Sequence, residues 1–585
     1  MQFSTFVGYL ARLEATTKRN EMVAILAELF QQAGAEEIDK IIYLCQERLL
    51  PAYEALEFGI GESLAGAALA KASDKSPAEI RRLYKEKGDY GAAAESLLPA
   101  QGAGLTVAQV YQRLYAVATA SGEGTVERKT SLLADLLRHL SAQEARYALR
   151  IPLGMLRLGI GDPTMMDGLS FARAGDKSLR PLIERAYNVC SDLGYVARLF
   201  WERGVAALEH IQVQVGKPVR MALAERAKSV GEIIERLGTA ALEPKFDGFR
   251  CQVHKDGDSV HIFSRNLEET TPMFPDIAAG VRRQVKARSI IFEGEALAYN
   301  PDTDEFFPFQ VTVQRKRKYE IEAMQEKLPL RLMAFDLLYL DGADHTHDAY
   351  TERRRLLRAA IAPGETIQVT EALVSGQAGE IERFFTDEVA HGLEGIMAKR
   401  LDSPYQAGAR NFNWIKLKRS YQGELSDTVD CVLVGYWRGR GMRTALGIGS
   451  LLCAIYDQAN DRFLTIAKLG TGFSEEEFVQ LKALLDAIAV PEKPARVEAT
   501  SNLVPDVWVE PQYVVEIQAD EITKSPVHTA GRRGGDVGYA LRFPRVVGFI
   551  RTDRLPEDAT TEDEILEMYA RQGVKESANQ QISNF

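Results

Sequence analysis

The sequence of 585 residues has few cysteines and no long apolar run. Its five cysteines, Cys45, Cys190, Cys251, Cys431 and Cys453, are widely separated and form no CxxC pair. This spacing argues against a structural zinc site or a disulfide framework, and it favours a reducing compartment such as the cytoplasm. No apolar stretch reaches the roughly eighteen residues of a membrane span, and the N-terminus lacks the pattern of a secretory signal. We therefore expect an intracellular protein with no membrane partner.

An excess of positive charge is also missing. The formal net charge is −11, so the overall charge gives no sign of nucleic-acid binding. The local distribution matters more than the sum, and two segments are basic, namely residues 397–420 and the run QRKRKY at 314–319. Either segment, taken alone, is better explained as a solvated face.

The common phosphate-binding loops are absent as well. The sequence has no GxxxxGK[ST] loop and no GxGxxG between a strand and a helix. These glycine loops hold phosphates through main-chain amides at the start of a helix. If the protein uses a nucleotide, it must hold it in another kind of pocket.

The periodicity of apolar residues changes along the chain. Up to about residue 215 it is helical, as in NEMVAILAELFQQAG, where Met22, Ile25, Leu26 and Leu29 form one stripe. From about residue 241 it is that of strands. Beyond residue 420 short strands alternate with glycine-rich turns, which suggests a small barrel, with an OB-like barrel as one option. Because 585 residues exceed what one core holds, we expect several domains.

A β-hairpin is predicted over RCQVHKDGDSVHIFSR. If Asp256 and Gly257 form its two-residue turn, Val253 pairs with Val260. One face of the hairpin is then apolar, and the other carries Arg250 and Arg265 close together. Two converging arginines suggest an anion site, although solvated surface arginines are the alternative.

A cluster of charges just before this hairpin is unusual for a strand. The stretch LEPKFDGFRCQVH places Lys245, Asp247, Gly248 and Arg250 within six positions, although Asp and Gly are depleted from strand interiors. The pattern KxDGxR is too short to decide anything alone. Its downstream companions are SRN at 264–266, FEGEALAY at 292–299, AFDLLYLDG at 334–342, EGIMAKR at 394–400, WIKLK at 414–418 and RFPRVVGFIRTDR at 542–554.

In this order and spacing, the motifs resemble those of the nucleotidyltransferase superfamily of DNA ligases, RNA ligases and mRNA capping enzymes. The closest resemblance is to ATP-dependent DNA ligases of the archaeal and eukaryotic replicative type, and it spans nearly the whole chain. It implies a multidomain fold: an all-α DNA-binding domain (1–215), an α+β adenylation domain (216–420), a β-barrel OB-fold domain (421–560), and an acidic helix with a flexible tail (561–585).

The resemblance also implies the roles of individual residues. Lys245 would be the catalytic nucleophile that carries AMP. A lysine amine attacks only when it is neutral, and burial or nearby cations favour that form. The residues implied to bind the nucleotide are Glu243, Lys245, Arg250, Arg265, Glu295, Phe335, Arg410, Lys416 and Lys418. Glu295 and Glu394 would associate with the metal, for which Mg²⁺ is expected and Mn²⁺ could substitute.

A second set of residues is implied with less support from the motifs. Asp247 would fix the turn after Lys245 or contact the ribose, and Arg542 and Arg545 would orient pyrophosphate. The last motif ends in Asp553 and Arg554, where the family commonly has Asp-Lys, and the third motif has Glu293 where many DNA ligases have Asp. Arginine keeps the charge of lysine but differs from it in geometry. For Phe335, plain core packing is the alternative to adenine stacking.

The resulting prediction is an ATP-dependent DNA ligase that seals nicks in duplex DNA and acts as a monomer. The alternatives are an RNA ligase or capping enzyme, which the long helical region argues against, and a non-catalytic nucleic-acid-binding scaffold, which the complete motif set argues against. The C-terminal QQISNF resembles part of a sliding-clamp-binding peptide without its full motif. A sliding clamp is thus a suggested partner, with a merely disordered tail as the alternative.

Overall fold

The computed structural model describes residues 1–156, 158–301, 305–307, 309–315, 321–408, 410–418, 428–439, 447–470, 472–532, 537–551 and 554–571. The chain forms two compact units, residues 1–417 and residues 418–585. The finer division into domains at residues 215, 420 and 560 stays a prediction. Asp553, the tail from residue 572 onward and most of the basic run at 314–319 lie outside the described residues.

The N-terminal part of the first unit is helical, as predicted. Its helices are α1 (Phe3–Glu14), α2 (Arg19–Gln32), α3 (Ile38–Cys45), α4 (Glu62–Ser73), α5 (Pro77–Lys87), α6 (Tyr90–Leu97), α7 (Val107–Thr119), α8 (Thr125–Arg138), α9 (Ala142–Arg150), α10 (Asp162–Ala174), α11 (Arg180–Cys190), α12 (Leu193–Arg203) and α13 (Val205–Glu209).

Local sequence signals explain these helices. The apolar stripe predicted for α2 is buried in one large core shared by the helices of this part. At the start of α5 the Ser76 hydroxyl accepts a hydrogen bond from the Glu79 amide (3.3 Å), and the Glu79 carboxylate accepts one from the Ser76 amide (2.9 Å). This reciprocal cap satisfies two amides that have no partner within the helix. Gly88, with φ +67°, ends the helix.

The remainder of the first unit mixes strands and helices. Its strands are β1 (Leu223–Arg226), β2 (Ala240–Lys245), β3 (Phe249–Asp256), β4 (Ser259–Ser264), β5 (Ser289–Ala298), β6 (Leu330–Leu340), β7 (Ala343–Asp344), β8 (Ile367–Val369), β9 (Leu373–Ser375), β10 (Gly395–Arg400) and β11 (Arg410–Lys418). Its helices are α14 (Val230–Leu237), α15 (Pro275–Gln284), α16 (Phe309–Thr312), α17 (Ile321–Lys327), α18 (Tyr350–Ala360) and α19 (Ala378–Ala390).

These strands form two sheets. The first has the order β1-β11-β10-β2-β9, and the second has the order β4-β3-β5-β6-β7 with β8 paired to β6. Each sheet has its own apolar core on one face, packed against helices. The motif residues are divided between the sheets, since Lys245 ends β2 in the first sheet whereas Arg250, Glu295 and Phe335 lie on β3, β5 and β6 of the second.

The predicted hairpin exists as β3 and β4, but its predicted register is wrong. Val253 pairs with Ile262 rather than Val260, because the two-residue turn consists of Gly257 and Asp258. Gly257 occupies the first turn position with φ +58°, a conformation that glycine adopts without strain. The pairing is therefore offset by two residues. Because side chains alternate with a period of two, the predicted division into an apolar and a polar face is preserved.

The second unit is rich in strands. They are β12 (Val429–Arg438), β13 (Ile448–Asp457), β14 (Arg462–Leu469), β15 (Ala489–Val490), β16 (Val497–Glu498), β17 (Val507–Val509), β18 (Val514–Gln518), β19 (Glu521–Ser525), β20 (Gly538–Arg542) and β21 (Arg545–Arg551). The helices are α20 (Glu475–Asp486) and α21 (Glu562–Arg571), and the latter is the predicted acidic helix. β19 and β20 pair with each other, and the other strands form one sheet.

Two further expectations concern the chain as a whole. No disulfide joins the five cysteines, as their spacing predicted, and all five are buried. Among the described residues, no helix combines the length and the apolar character that a membrane span requires.

Candidate active site

Lys245 lies where two strands of the first sheet meet a turn. It is the last residue of β2 and pairs with Gly395, the first residue of β10. The Lys245 carbonyl accepts a hydrogen bond from the Glu394 amide (3.1 Å), which fixes the two residues side by side. The Lys245 Nζ then lies 2.6 Å from Glu394 Oε2, and 19% of the lysine side chain remains exposed. The amine is thus ion-paired but still open to solvent.

A second carboxylate, Glu295, lies close to the same lysine. It pairs with Arg250 across β5 and β3, and its Oε1 accepts a hydrogen bond from the Gly248 amide (3.2 Å). Burial raises the pKa of Glu295, the charges of Lys245 and Arg250 partly offset this, and the resulting pKa is about 7. This carboxyl group therefore changes its charge near neutral pH.

Gly248 has a steric reason to be glycine. A Cβ atom at this position would lie 2.4 Å from the Ala296 carbonyl oxygen, which belongs to β5. The absence of a side chain allows a close approach to the neighbouring strand. It brings the turn after Lys245 within hydrogen-bonding distance of Glu295.

Arg250 is built into the floor of the site. Its guanidinium donates to Glu293 Oε2 (2.8 Å) and to the Ala222 carbonyl (2.7 Å). It also lies 5.5 Å from the ring centre of Phe335 and 5.4 Å from that of Trp414. Arg265, by contrast, is exposed just beyond β4 and has no hydrogen bond or ion pair with any residue that the structure describes. The anion site that these two arginines were expected to share stays a prediction.

Phe335 and Trp414 form an aromatic wall backed by a buried lysine. Their rings meet edge to face at 6.1 Å, and the Lys399 ammonium lies 4.7 Å from the centre of Phe335 and 4.3 Å from that of Trp414. The same ammonium donates to the Phe335 carbonyl (3.2 Å). A cation behind a ring stabilises it through the quadrupole of the π-system. Lys399 therefore stabilises the position of both rings.

The side chain of Glu243 is committed to protein partners. It is 2% exposed, forms ion pairs with Lys399 (2.7 Å) and Arg354 (2.8 Å), and accepts a hydrogen bond from Tyr350. Its carboxylate therefore neutralises the lysine behind the aromatic wall. The nucleotide contact implied for Glu243 stays a prediction.

The other predicted residues on or beside the two sheets are placed as follows. Trp414 and Lys416 alternate along β11 with Ile415 and Leu417, which are buried in the core of the first sheet. Lys416 and Lys418 therefore share the face of Trp414. Arg410 begins β11, but its side chain is outside what the structure describes. Asp247 is half-buried in the turn between β2 and β3.

The arginines of the last motif bind acids of their own unit. Arg542 donates to Glu521 (2.7 Å) and Arg545 donates to Asp520 (3.1 Å). The Nε atom of Arg554 lies 3.7 Å from Asp430 Oδ2. All three side chains are partly exposed, so these contacts leave them accessible to an anionic ligand.

The carboxylates suit a magnesium ion better than a transition metal. Among the described residues, no three His, Cys, Asp or Glu side chains converge on one point. Mg²⁺ keeps several waters and needs only one or two protein carboxylates together with substrate phosphates. Glu394 and Glu295 both act on Lys245, the first through an ion pair and the second through its charge. This donor set fits Mg²⁺.

Sequence comparisons identify the family. Three family models match the chain: "DNA ligase N terminus" over residues 2–170, "ATP dependent DNA ligase domain" over 221–418, and "ATP dependent DNA ligase C terminal region" over 444–554. A "Probable DNA ligase" from Dictyoglomus thermophilum is 56% identical over 572 residues, covering 98% of both chains. This chain belongs to the ATP-dependent DNA ligases.

More distant relatives agree with this membership. "DNA ligase 2" of Thermofilum pendens is 44% identical over 600 residues and covers 99% of both chains. The DNA ligase of Pyrobaculum islandicum is 43% identical and covers 98% of this chain and 99% of its own. The solved structure named "Pmar-Lig_PreS3" covers 93% of this chain and 99% of its own, with a TM-score of 0.53 and 16% identity, and so supports the fold.

Several residues of this ligase's site were missed from the sequence. Lys399, Tyr405 and Gln252 all contact predicted site residues or their partners. Lys399 was counted only as part of a basic segment, and its burial depends on partners far away in the chain. Gln252 had a usable signal, since it is a polar residue in an alternating strand next to a motif.

Proposed function

We propose that this ligase seals nicks in duplex DNA through a covalent lysine–AMP intermediate formed at Lys245. The observation that carries the proposal is the position of Lys245 at the end of β2, partly exposed and 2.6 Å from Glu394. The Lys245 amine, once neutral, attacks the α-phosphate of ATP. A P–N bond forms, the bond to pyrophosphate breaks, and the amine loses a proton.

The remaining side chains divide the work of binding ATP. The Phe335 face offers a stacking surface for adenine, and Arg250 beside it can reach the sugar or phosphates. Lys416 and Lys418, on the face of Trp414, supply positive charge for the phosphates. Glu295 and Glu394 would hold Mg²⁺, which supplies charge neutralisation at the phosphates when bound. Preorganised cations around a transferring phosphoryl group are the usual source of stabilisation in such reactions.

AMP then passes from Lys245 to the 5′-phosphate of a nick. The 3′-hydroxyl attacks that phosphate, forms the phosphodiester bond and releases AMP. We further propose that the helical region grips duplex phosphates, that the second unit is an OB-fold, and that Arg542, Arg545 and Arg554 orient pyrophosphate in the first step. In this proposal the protein works as a monomer inside the cell, and a sliding clamp is a suggested partner.

The decisive experiment is incubation of the protein with α-labelled ATP and Mg²⁺. A covalent label that stays on the denatured protein is expected, and it should be absent from Lys245→Ala and Lys245→Arg. Lys286→Arg, which changes an exposed lysine of the same region, is the matched control and should be labelled normally. A wild-type protein that takes up no label would refute the proposal.

The substrate is tested with the labelled protein. Adding a nicked DNA duplex should discharge the label and yield joined strands. Joining of nicked RNA but not of DNA would instead identify an RNA ligase. Labelling without any joining would instead favour a capping-type transferase, whereas a protein that binds nucleic acid but takes up no label would be a non-catalytic scaffold.

A further inference from the structure

The segment 216–222 runs between the helical region and the site and is bound on both sides. On the side that faces the site, the buried side chain of Gln252 hydrogen-bonds to the main chain of this segment. The Val219 amide donates to Gln252 Oε1 (2.8 Å), and Gln252 Nε2 donates to the Val219 carbonyl (2.9 Å). Such a two-fold contact to one residue fixes both the position and the direction of the segment.

Gln252 has no spare hydrogen-bonding capacity. A side-chain amide offers two donors and two acceptor sites. The second donor contacts Glu293 Oε1 (3.1 Å), and the second acceptor site contacts His254 Nε2 (2.9 Å). Gln252, Glu293 and His254 are all fully buried. The orientation of the amide is therefore set by four hydrogen bonds to three residues.

The histidine extends the same network to the start of the segment. The Gly216 amide donates to His254 Nδ1 (3.0 Å), so this ring nitrogen is the acceptor and Nε2 carries the proton. Burial lowers the pKa of His254 to about 3, in keeping with a neutral ring. Main-chain positions 216 and 219 are consequently both held by the polar face of β3.

The network ends on Arg250. Glu293 Oε2 accepts hydrogen bonds from Arg250 (2.8 Å) and from the Tyr405 hydroxyl (3.0 Å). The Tyr405 hydroxyl accepts a hydrogen bond from the Ala222 amide (2.8 Å), and Arg250 donates to the Ala222 carbonyl (2.7 Å). The segment and the arginine therefore share their partners, and neither can shift without the other.

The opposite side of the segment is anchored in the helical region. The Arg220 amide donates to the Asn188 carbonyl (2.8 Å). The Arg220 guanidinium donates to the Tyr187 hydroxyl (2.7 Å), lies 4.8 Å from the centre of that ring and is 3.4 Å from Asp162. Asp162 begins α10, and Tyr187 and Asn188 belong to α11.

We propose that segment 216–222 is a positioning tie, through which Arg220 and its anchor in the helical region set the placement of Arg250. Gln252 is the positioning residue that couples the segment to Glu293 and Arg250. The proposal rests on the proposed adenylation of Lys245. It assigns part of the affinity for ATP to Arg220, although the structure describes no direct contact of Arg220 with Arg250 or Phe335. Such an effect does not follow from the motifs, none of which contains Arg220 or Gln252.

The test measures adenylation of the full-length protein by ATP, without DNA. Arg220→Ala should raise the KM for ATP about fivefold, the effect of roughly one lost hydrogen bond in a binding equilibrium, while the maximal rate changes little. Arg220→Lys retains a donor for Tyr187 and Asp162 and should restore much of the affinity. Arg173→Ala is the matched control, because it removes an arginine–aromatic contact of the same kind (4.3 Å from Trp201) elsewhere in the helical region.

A second pair of variants tests the inner end of the tie. Gln252→Ala should raise the KM for ATP in the same direction as Arg220→Ala, and the double variant should add little, since both interrupt one connection. A merely structural role would lower the melting temperature and the fraction of labelled molecules and leave the KM unchanged. Wild-type KM values in folded Arg220→Ala and Gln252→Ala would overturn the inference. A wild-type protein that takes up no label would overturn the proposed function instead.

Discussion

The Nζ atom of Lys245 lies 2.6 Å from Oε2 of Glu394. In this arrangement the residue proposed to attack ATP is ion-paired to a residue proposed to hold Mg²⁺. An ammonium paired in this way is not a nucleophile, because only the neutral amine carries a free electron pair. Drawing the Glu394 carboxylate toward a cation would release the lysine, so we expect the ion pair to couple metal binding to activation of Lys245.

The first prediction tests that coupling. Glu394→Gln should slow adenylation by about 10²-fold or more, since a charged group that stabilises phosphoryl transfer is lost. The Mg²⁺ concentration that gives half the maximal rate should also rise. Glu371→Gln, which changes a glutamate that is 87% exposed in the same unit, is the control. An unchanged Mg²⁺ dependence would show that Glu394 does not bind the metal.

The second prediction concerns the pH dependence of stability. Burial raises the pKa of Glu295 to about 7 in the folded protein, above its ordinary value of 4.5. Its protonation therefore contributes stability that is complete below about pH 4.5 and is lost as the pH rises through about 7. Glu295→Gln has no such group. The melting temperature of Glu295→Gln minus that of wild type should therefore be larger at pH 8 than at pH 5, with metal and nucleotide absent.

The measurement for Glu295 is a pair of thermal unfolding curves for each protein. Glu371→Gln serves again as the control, because an exposed carboxylate should shift the melting temperature equally at both pH values. A difference between Glu295→Gln and wild type that is the same at pH 5 and pH 8 would contradict the predicted ionisation.

The third prediction concerns the aromatic wall. Phe335→Ala should raise the KM for ATP by about tenfold, in line with the ~1–3 kcal/mol of a base stacked on an aromatic ring. Phe335→Tyr keeps the ring and should remain near wild type. The KM for ATP in adenylation is the measured quantity. Equal KM values for Phe335→Ala and wild type would show that the Phe335 ring does not stack on adenine and serves only to pack the core.

The fourth prediction concerns an ion pair behind that wall. Arg353 and Asp336 are both fully buried and are joined by two hydrogen bonds, of 2.7 and 3.0 Å. Arg353→Met leaves the Asp336 charge buried without its partner and should lower the free energy of unfolding by about 3–5 kcal/mol. The double variant Arg353→Met/Asp336→Leu should regain part of this loss, because the carbonyls of Asp348 and Ser403 still lose the arginine as a donor. Denaturant unfolding measures both, and a double variant as unstable as the single one would contradict the explanation.

The sequence predicted several elements of the fold but not the contacts between residues that are far apart in the chain. The helical first part and the β3–β4 hairpin follow from local periodicity. The hairpin register failed by two residues because Asp256-Gly257 and Gly257-Asp258 are both acceptable turns, and the local sequence does not distinguish them. Contacts such as Glu243 with Lys399 join residues far apart in the chain, and no local pattern encodes them.

The fifth prediction concerns Arg554, which stands where the family commonly has lysine. Its only ion pair among the described residues is a long one, with Nε 3.7 Å from Asp430 Oδ2, and 43% of the side chain is exposed. An exposed single contact of this kind contributes little energy and does not use the forked geometry of arginine. Its charge should therefore matter more than its shape. Arg554→Lys should keep the adenylation rate within about threefold, and Arg554→Ala should lower it by about tenfold, the range of one lost charged contact to phosphate.

Adenylation by ATP in the absence of DNA measures both variants of Arg554. Arg462→Ala is the matched control, since it removes an exposed arginine of the same unit, ion-paired to Glu498. If Arg554→Lys were as slow as Arg554→Ala, the two-pronged geometry of arginine would be required. The departure from the family's lysine would then be an adaptation of this chain rather than a neutral exchange of one cation for another.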